Sequence, residues 1–109
     1  MEFVFYTNWF VSKGFAASTY GPFIFIRPTK KGDEGLLAHE KTHVKQFWKN
    51  PFFGLFYLFS KKARFKYEAE AYRVQLAYYP ERLETLATIL ATKYKLNITV
   101  DEARAALKG

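Results

Sequence analysis

The sequence predicts an α+β domain in which a small N-terminal antiparallel sheet is followed by helices. The first third of the chain is rich in aromatic and β-branched residues between turn formers, and the pattern changes to helical periodicity at Asp33. The length of 109 residues suits one compact domain. We therefore expect a single domain over residues 1–109, strand-rich over 1–32 and helical over 33–109.

Three short segments near the N-terminus are predicted to be strands. They are Phe3–Tyr6, Phe15–Thr19 and Phe23–Arg27, each rich in the residue types that fit a pleated surface. Gly14 and Gly21 lie between them and mark the turns.

The first long helix is predicted from Glu34 to Lys49. Asp33 is suited to the N-cap position, and Glu34 places a carboxylate in the first turn, where it favours the helix dipole. The Asn50-Pro51 pair ends the helix, because the residue before a proline is disfavoured in helical conformation.

More helices are predicted after this point. A dense aromatic connector, which could form a short helix, is followed by a glutamate-bearing helix and two further helices: Phe52–Phe59, Lys61–Tyr79, Glu81–Tyr94 and Val100–Lys108. Pro80 suits the first turn of the third of these segments. The last segment begins at a capping box, with Thr99 as the N-cap and Glu102 three residues later.

The composition excludes several classes of protein. Half of the residues are hydrophobic and a fifth are aromatic, which is ample for a core and argues against disorder. A chain without cysteines has neither disulfides nor thiolate metal sites. No signal peptide is visible, and the longest apolar run, Pro51–Phe59, is about half of the roughly 20 residues that a membrane-spanning helix needs. We therefore expect a cytoplasmic or otherwise intracellular protein without a transmembrane segment.

The net charge of +7 is unevenly placed. The segment from Lys41 to Lys66 carries seven basic residues and no acidic residue, and it includes the aromatic connector. We expect lysine-rich helix faces in solvent with a buried aromatic turn between them. Basic balance alone is weak support for any partner. If the segment does bind a partner, we expect an acidic protein or an anionic membrane surface rather than nucleic acid.

One motif in the first long helix carries chemistry. His39, Glu40 and His43 form HExxH, and the two histidines are the only ones in the chain. Residues four apart lie on one face of a helix, so both imidazoles can bind one ion, for which Zn²⁺ is suited. Glu40 lies next to the first ligand, where it can take a proton from a metal-bound water as general base. The sequence therefore predicts a zinc site with hydrolytic chemistry.

A catalytic zinc site has three protein ligands, and without another histidine the third must be a carboxylate. Helix phasing favours Glu68, which flanks the apolar stripe of the second long helix. Glu70 aligns instead with Lys66 and Arg73, a pattern typical of charge pairing at the surface. We predict Glu68 as the third ligand, with Glu70 as the alternative.

These residues resemble those of the gluzincin zinc metallopeptidases, in which a glutamate follows HExxH on a second helix. The segment Glu68–Tyr72 is similar to their Glu-x-x-Ala-Asp ligand segment, and the size and the strand-then-helix order are similar to those of the single-domain minigluzincins. Gln46 also matches the HExxHxxQ of other short proteins. The resemblance implies a Zn²⁺-dependent peptidase with a peptide or protein substrate. It also implies that Phe23–Ile26 is an edge strand that pairs with extended substrate.

Tyr72 stands where these peptidases have the aspartate that orients a ligating histidine. Tyr72 or a backbone carbonyl would have to accept the second imidazole hydrogen bond. A peptidase also needs a donor to the developing oxyanion, and a tyrosine is the expected group. Six tyrosines are open for this role: Tyr20, Tyr57, Tyr67, Tyr72, Tyr78 and Tyr79.

The sequence leaves two other classes of function open. The first is a catalytically silent, metal-stabilised binding module that docks an acidic partner or a membrane surface through residues 41–66. The second is an interfacial protein whose Phe52–Phe59 segment lies among lipid headgroups. An aromatic connector in so small a protein is more often part of the core, which argues against the interfacial class.

Overall fold

The computed structural model describes residues 2–109, which form three strands, five α-helices and two short 3-10 helices. The strands are β1 (Phe3–Tyr6), β2 (Ala17–Tyr20) and β3 (Phe23–Ile26), and the α-helices are α1 (Glu34–Lys49), α2 (Phe53–Phe59), α3 (Lys61–Tyr78), α4 (Leu83–Lys93) and α5 (Val100–Lys108). The 3-10 helices are Pro28–Lys30 and Pro80–Arg82. The predicted α+β class, with an N-terminal sheet followed by helices, is confirmed.

The sheet is mixed, whereas the sequence had predicted an antiparallel one. Its strand order is β1-β3-β2, with β1 parallel and β2 antiparallel to β3. The expectation that Phe23–Ile26 is an edge strand is therefore wrong, because both of its edges are paired. Within residues 2–109 the strand with an open edge on the side away from β1 is Ala17–Tyr20.

The long connection between β1 and β2 explains the parallel pairing. It carries the chain past β3 rather than turning back as a hairpin, and Arg27 holds it in place. The guanidinium of Arg27 donates to the carbonyl oxygens of Phe15 and Ser12 and to Asn8 Oδ1, at 2.7, 3.2 and 3.1 Å. Such long-range contacts lie beyond what local periodicity can predict.

Local capping sets the ends of the helices. Asp33 Oδ1 accepts from the Leu36 backbone N–H at 3.0 Å, and Ser60 caps α3 by accepting from the Ala63 N–H. Thr99 and Glu102 form the predicted capping box of α5. After Pro80 the chain first makes a 3-10 turn, so α4 begins at Leu83, two residues later than predicted.

Two hydrophobic clusters form the core. The inner face of the sheet packs against α1, with Ile24 and Ile26 almost completely buried beside Leu36 and Val44. The second cluster joins α3, α4 and α5 and includes Ala69, Tyr72, Leu86, Ala87, Leu90, Leu96, Ala103 and Leu107. Because α1 packs along α3, the two clusters lie on either side of the interface between these helices.

The aromatic connector is not the buried turn that we expected. No residue of α2 is buried, and most large apolar side chains between Phe52 and Phe59 are more than half exposed. The sequence could not show this, because a short helix that is apolar all round gives no sign of which face is covered. Within residues 2–109, no helix combines the length and apolarity needed to cross a membrane.

Candidate metal centre

The interface between α1 and α3 brings three of the predicted site residues together. His39 and His43 lie one turn apart on α1, and both Nε2 atoms point to Glu68 Oε1 on α3, at 3.3 and 3.2 Å. One donor atom from each residue lies within 4.8 Å of the others, and all three side chains are buried. The structure thus places Glu68 in the position that helix phasing predicted.

These separations fit a metal ion. Tetrahedral ligands about 2.0–2.1 Å from zinc are about 3.3 Å from one another, which matches both nitrogen–oxygen distances. Two imidazoles and one carboxylate are also a chemically suitable donor set. The buried group of His39, His43 and Glu68 could therefore hold a metal ion.

Gln46, one turn beyond His43 on α1, orients the imidazole of His43. Its Oε1 lies 2.8 Å from His43 Nδ1, so it accepts the hydrogen of the ring nitrogen that faces away from the site. Its Nε2 donates to the Tyr67 carbonyl oxygen and to Glu70 Oε1, at 3.0 and 2.7 Å. The amide is fixed by α3 and in turn fixes the imidazole, as expected of a group that supports a metal ligand.

Glu70 does not join the metal group. It is exposed, and its hydrogen bond is to Gln46. Glu70, which the sequence offered as the alternative third ligand, therefore supports Gln46 and does not face the two Nε2 atoms.

Tyr57, on α2, holds the other oxygen of Glu68. Its hydroxyl donates to Glu68 Oε2 at 2.5 Å, which leaves Oε1 directed at the histidines. Burial and the nearby Glu68 carboxylate raise the pKa of Tyr57 above its usual range, so the hydroxyl stays a donor. Among the six tyrosines that the sequence left open, Tyr57 is the one bonded to a site carboxylate in the described chain.

Glu40 lies beside the group of His39, His43 and Glu68 without being part of it. Thr19 on β2 donates to Glu40 Oε1 at 2.7 Å, and Glu40 Oε2 lies 3.6 Å from His39 Nε2. One carboxylate oxygen is therefore fixed, and the other faces the place where the ligands converge. Glu40 is only 5% exposed, so it is held away from bulk solvent.

Tyr72 contacts His39 through its ring rather than its hydroxyl. The ring centroids are 4.3 Å apart with an edge-on orientation, and the hydroxyls of Tyr72 and Tyr94 lie 2.6 Å apart. His39 Nδ1 has no hydrogen-bond partner among residues 2–109, and the same holds for Gln75 Oε1. Both residues line a cavity of about 180 Å³ on this side of the site. Tyr72 thus does not replace the aspartate of the resembled peptidases as an acceptor for His39.

Charges in the group determine its protonation. Burial alone would lower the pKa of His43, but the Glu68 and Glu40 carboxylates outweigh it and raise this pKa to about 9. Burial would also raise the pKa of Glu68, but His43 and His39 hold it well below its usual range. At neutral pH and without a metal, a protonated His43 therefore neutralises a charged Glu68.

A cleft of about 860 Å³ opens onto the site. Its walls include residues 17–21 of β2 and the following turn, the inner side of α2, and the side chains of His39, Glu40, His43 and Glu68. The size is in the range of pockets that hold small molecules or short peptide segments.

The hydrogen-bond partners of the site residues were not predicted from the sequence. Gln46 was noted only as a letter of a motif, although its spacing of three from His43 could have revealed its role. No local sequence pattern placed Thr19 or Tyr94 near the site, because strand and loop residues reach it only through the tertiary fold. Comparison of the chain with models of protein families, with curated proteins and with solved structures found no match in any of the three.

Proposed function

We propose that the protein is a zinc-dependent peptidase in which His39, His43 and Glu68 bind the ion and Glu40 is the general base. The observation that carries this proposal is the convergence of the three donor atoms beside a second carboxylate, that of Glu40, which is not one of the ligands, at the floor of an open cleft. A site that only bound a metal would not need Glu40 with one free oxygen facing the ligands.

The donor set supports zinc in particular. Two imidazole nitrogens and one carboxylate oxygen leave a fourth tetrahedral position open, as in zinc hydrolases. When bound, zinc supplies a Lewis acid that polarises a substrate carbonyl and lowers the pKa of water.

The residues of the chain would divide the remaining work. Glu40 Oε2 takes a proton from the attacking water and later delivers it to the leaving amine, while Thr19 keeps Glu40 Oε1 in place. Gln46 and Tyr57 fix the orientations of His43 and Glu68.

The edge strand β2 supports a peptide as the substrate. Residues 17–20 line the cleft, and the edge of β2 opposite β3 is not paired with a strand in the described chain. An extended peptide backbone can hydrogen-bond along such an edge. Because Thr19 on this strand also holds Glu40, a peptide bound there would lie beside the base.

The test compares three glutamate variants of the zinc-loaded protein on a mixture of peptides analysed by mass spectrometry. Glu40→Gln should keep one equivalent of zinc and lose cleavage by about 100-fold or more. Glu68→Gln should lose zinc and cleavage together, whereas Glu81→Gln, a control at an exposed glutamate of the second 3-10 helix, should keep both. Wild-type protein that binds zinc but cleaves no peptide would contradict the proposal.

A structural metal centre is the second candidate. The observation that favours it is the burial of the site, since the three ligands and Glu40 are each at most 6% exposed. In that case Glu40→Gln would leave every activity unchanged, and removal of zinc would affect only stability.

A further inference from the structure

We propose that α2 docks the protein on the surface of an anionic lipid bilayer. The contact would be made by the α2 apolar surface, which we define as the four large side chains in and next to this helix that are more than half exposed and do not line the cleft: Phe52, Leu55, Phe56 and Phe59. Phe59, at 83%, is the most exposed of them. A concentrated apolar surface of this kind on a small protein marks an interaction site.

The opposite side of α2 packs against the rest of the protein. Phe53 packs against Tyr67 with ring centroids 5.1 Å apart, and Tyr57 donates to Glu68. The helix is thus anchored to the metal centre by its inner residues. Rotation of α2 to bury its outer residues would break these contacts, so the α2 apolar surface is a fixed feature of the fold.

Charge identifies the partner. Lys49 precedes α2, Lys61 and Lys62 follow it, and all three are exposed. None of the three forms an ion pair with a carboxylate within residues 2–109, and the chain has no acidic residue between positions 41 and 66. Lysines beside exposed aromatic and aliphatic side chains are the pattern of interfacial helices on anionic lipids. A second copy of this chain would instead place like charges against each other.

The short length of α2 determines how it would lie relative to the bilayer. Seven residues of α-helix extend about 10 Å, far less than the thickness of a bilayer, so α2 would lie in the headgroup region with its apolar side chains in the acyl boundary. The lysines at its ends would then be level with the lipid phosphates.

The experiment measures co-sedimentation of the full-length, zinc-loaded protein with vesicles at low salt. One set is phosphatidylcholine alone, and the other contains about 30% phosphatidylglycerol, so that only the second set attracts lysines. Phe52→Ser with Phe59→Ser should lower partitioning at least ten-fold on the anionic vesicles. Lys61→Gln with Lys62→Gln should lower it about ten-fold or more, and about 0.5 M salt should do the same to the wild type.

The matched control removes two other exposed aromatic side chains. Trp9 and Phe10 are 76% and 66% exposed and belong to the loop after β1. Trp9→Ser with Phe10→Ser should change partitioning less than two-fold. Equal losses in this control and in the Phe52/Phe59 variant would overturn the proposal.

Other outcomes separate other partners. Absence of wild-type binding to anionic vesicles at low salt would overturn the proposal, as would a dimer that disappears in the Phe52/Phe59 variant without any vesicle binding. If that variant fails to fold, Phe56→Trp in a Trp9→Phe/Trp48→Phe background places the only tryptophan on the α2 apolar surface. Its fluorescence should shift to the blue and be quenched by brominated lipids in anionic vesicles. An unchanged spectrum would overturn the proposal.

Discussion

At the scale of single residues, Gln46 supports the candidate metal centre without being one of its three ligand residues. It joins His43 to α3 through hydrogen bonds to Tyr67 and Glu70. Gln46→Leu leaves His43 Nδ1 without its acceptor, so we expect zinc affinity to fall about 10- to 100-fold. Competition with a fluorescent chelator measures this. Lys45→Gln, on the exposed side of the same turn, is the control and should leave the affinity unchanged.

His43 should give the metal-free protein an unusual pH dependence. Its pKa is raised to about 9 in the fold, mainly by Glu68 against the opposing effect of burial, and it is about 6.5 in an unfolded chain. A raised pKa stabilises the fold fully below pH 6.5, and the stabilisation is lost as the pH rises through 9. We expect the free energy of unfolding, from urea titrations with chelator present, to fall by at most about 3 kcal/mol across this range.

Zinc binding should change with pH in the opposite direction. The ion needs a neutral imidazole, so it must displace the His43 proton, and its affinity should rise up to about ten-fold per pH unit below pH 9. In His43→Gln the stability of the metal-free protein should vary little between pH 6.5 and 9. A wild-type profile that is equally flat would contradict the raised pKa.

At the scale of elements, two helical glycines provide a matched pair. A Cβ on Gly35 in α1 would lie 2.6 and 2.8 Å from two ring carbons of Tyr79, whereas a Cβ on Gly54 in α2 meets nothing within 4 Å. Alanine is the better helix former by about 1 kcal/mol. We expect Gly54→Ala to stabilise by about 0.5 kcal/mol, but Gly35→Ala to destabilise by about 1–3 kcal/mol, because the Tyr79 ring must move.

Thermal unfolding of the two glycine variants tests this contrast. Truncation of the ring in Tyr79→Ala should remove the clash, so the penalty for Gly35→Ala should shrink in the double variant. Equal effects of the two alanines would mean that α1 and the Tyr79 ring do not pack as closely as described.

Elements with strong local signals were predictable from the sequence. Asp33 and Asn50-Pro51 define α1, and the Thr99 capping box defines α5, so both helices begin and end at the predicted residues. The pairing of β1 with β3 was not predictable, because the two strands are separated along the chain by β2 and by the loop that Arg27 contacts. The same limit applies to the site, where helix phasing indicated Glu68 but nothing local indicated Thr19.

At the scale of the whole molecule, the candidate metal centre lies between the helices that carry the two hydrophobic clusters. Its histidines come from α1, which packs on the sheet, and Glu68 comes from α3, which packs on α4 and α5. Zinc should therefore stabilise the entire fold, by about 2.7 kcal/mol at a free concentration 100 times the Kd. For a domain of this size, that corresponds to a rise in Tm of about 10 °C or more.

Differential scanning calorimetry with zinc and with chelator measures this stabilisation. Glu68→Gln should abolish the shift in Tm while keeping the acceptor for Tyr57, and the control Glu81→Gln should retain the shift. Two separate transitions in the zinc-loaded protein would contradict the view that the ion joins the clusters.

The hydrogen bond from Tyr57 to Glu68 connects a proposed metal ligand to the helix that carries the α2 apolar surface. If the protein binds both zinc and bilayers, as we propose, the two binding reactions form a thermodynamic cycle. Any factor by which zinc changes the partitioning of the protein onto vesicles must equal the factor by which vesicles change its zinc affinity. Tyr57→Phe should bring both factors to one while each kind of binding persists. In a protein with this linkage, contact with a membrane would change the zinc affinity of the metal centre.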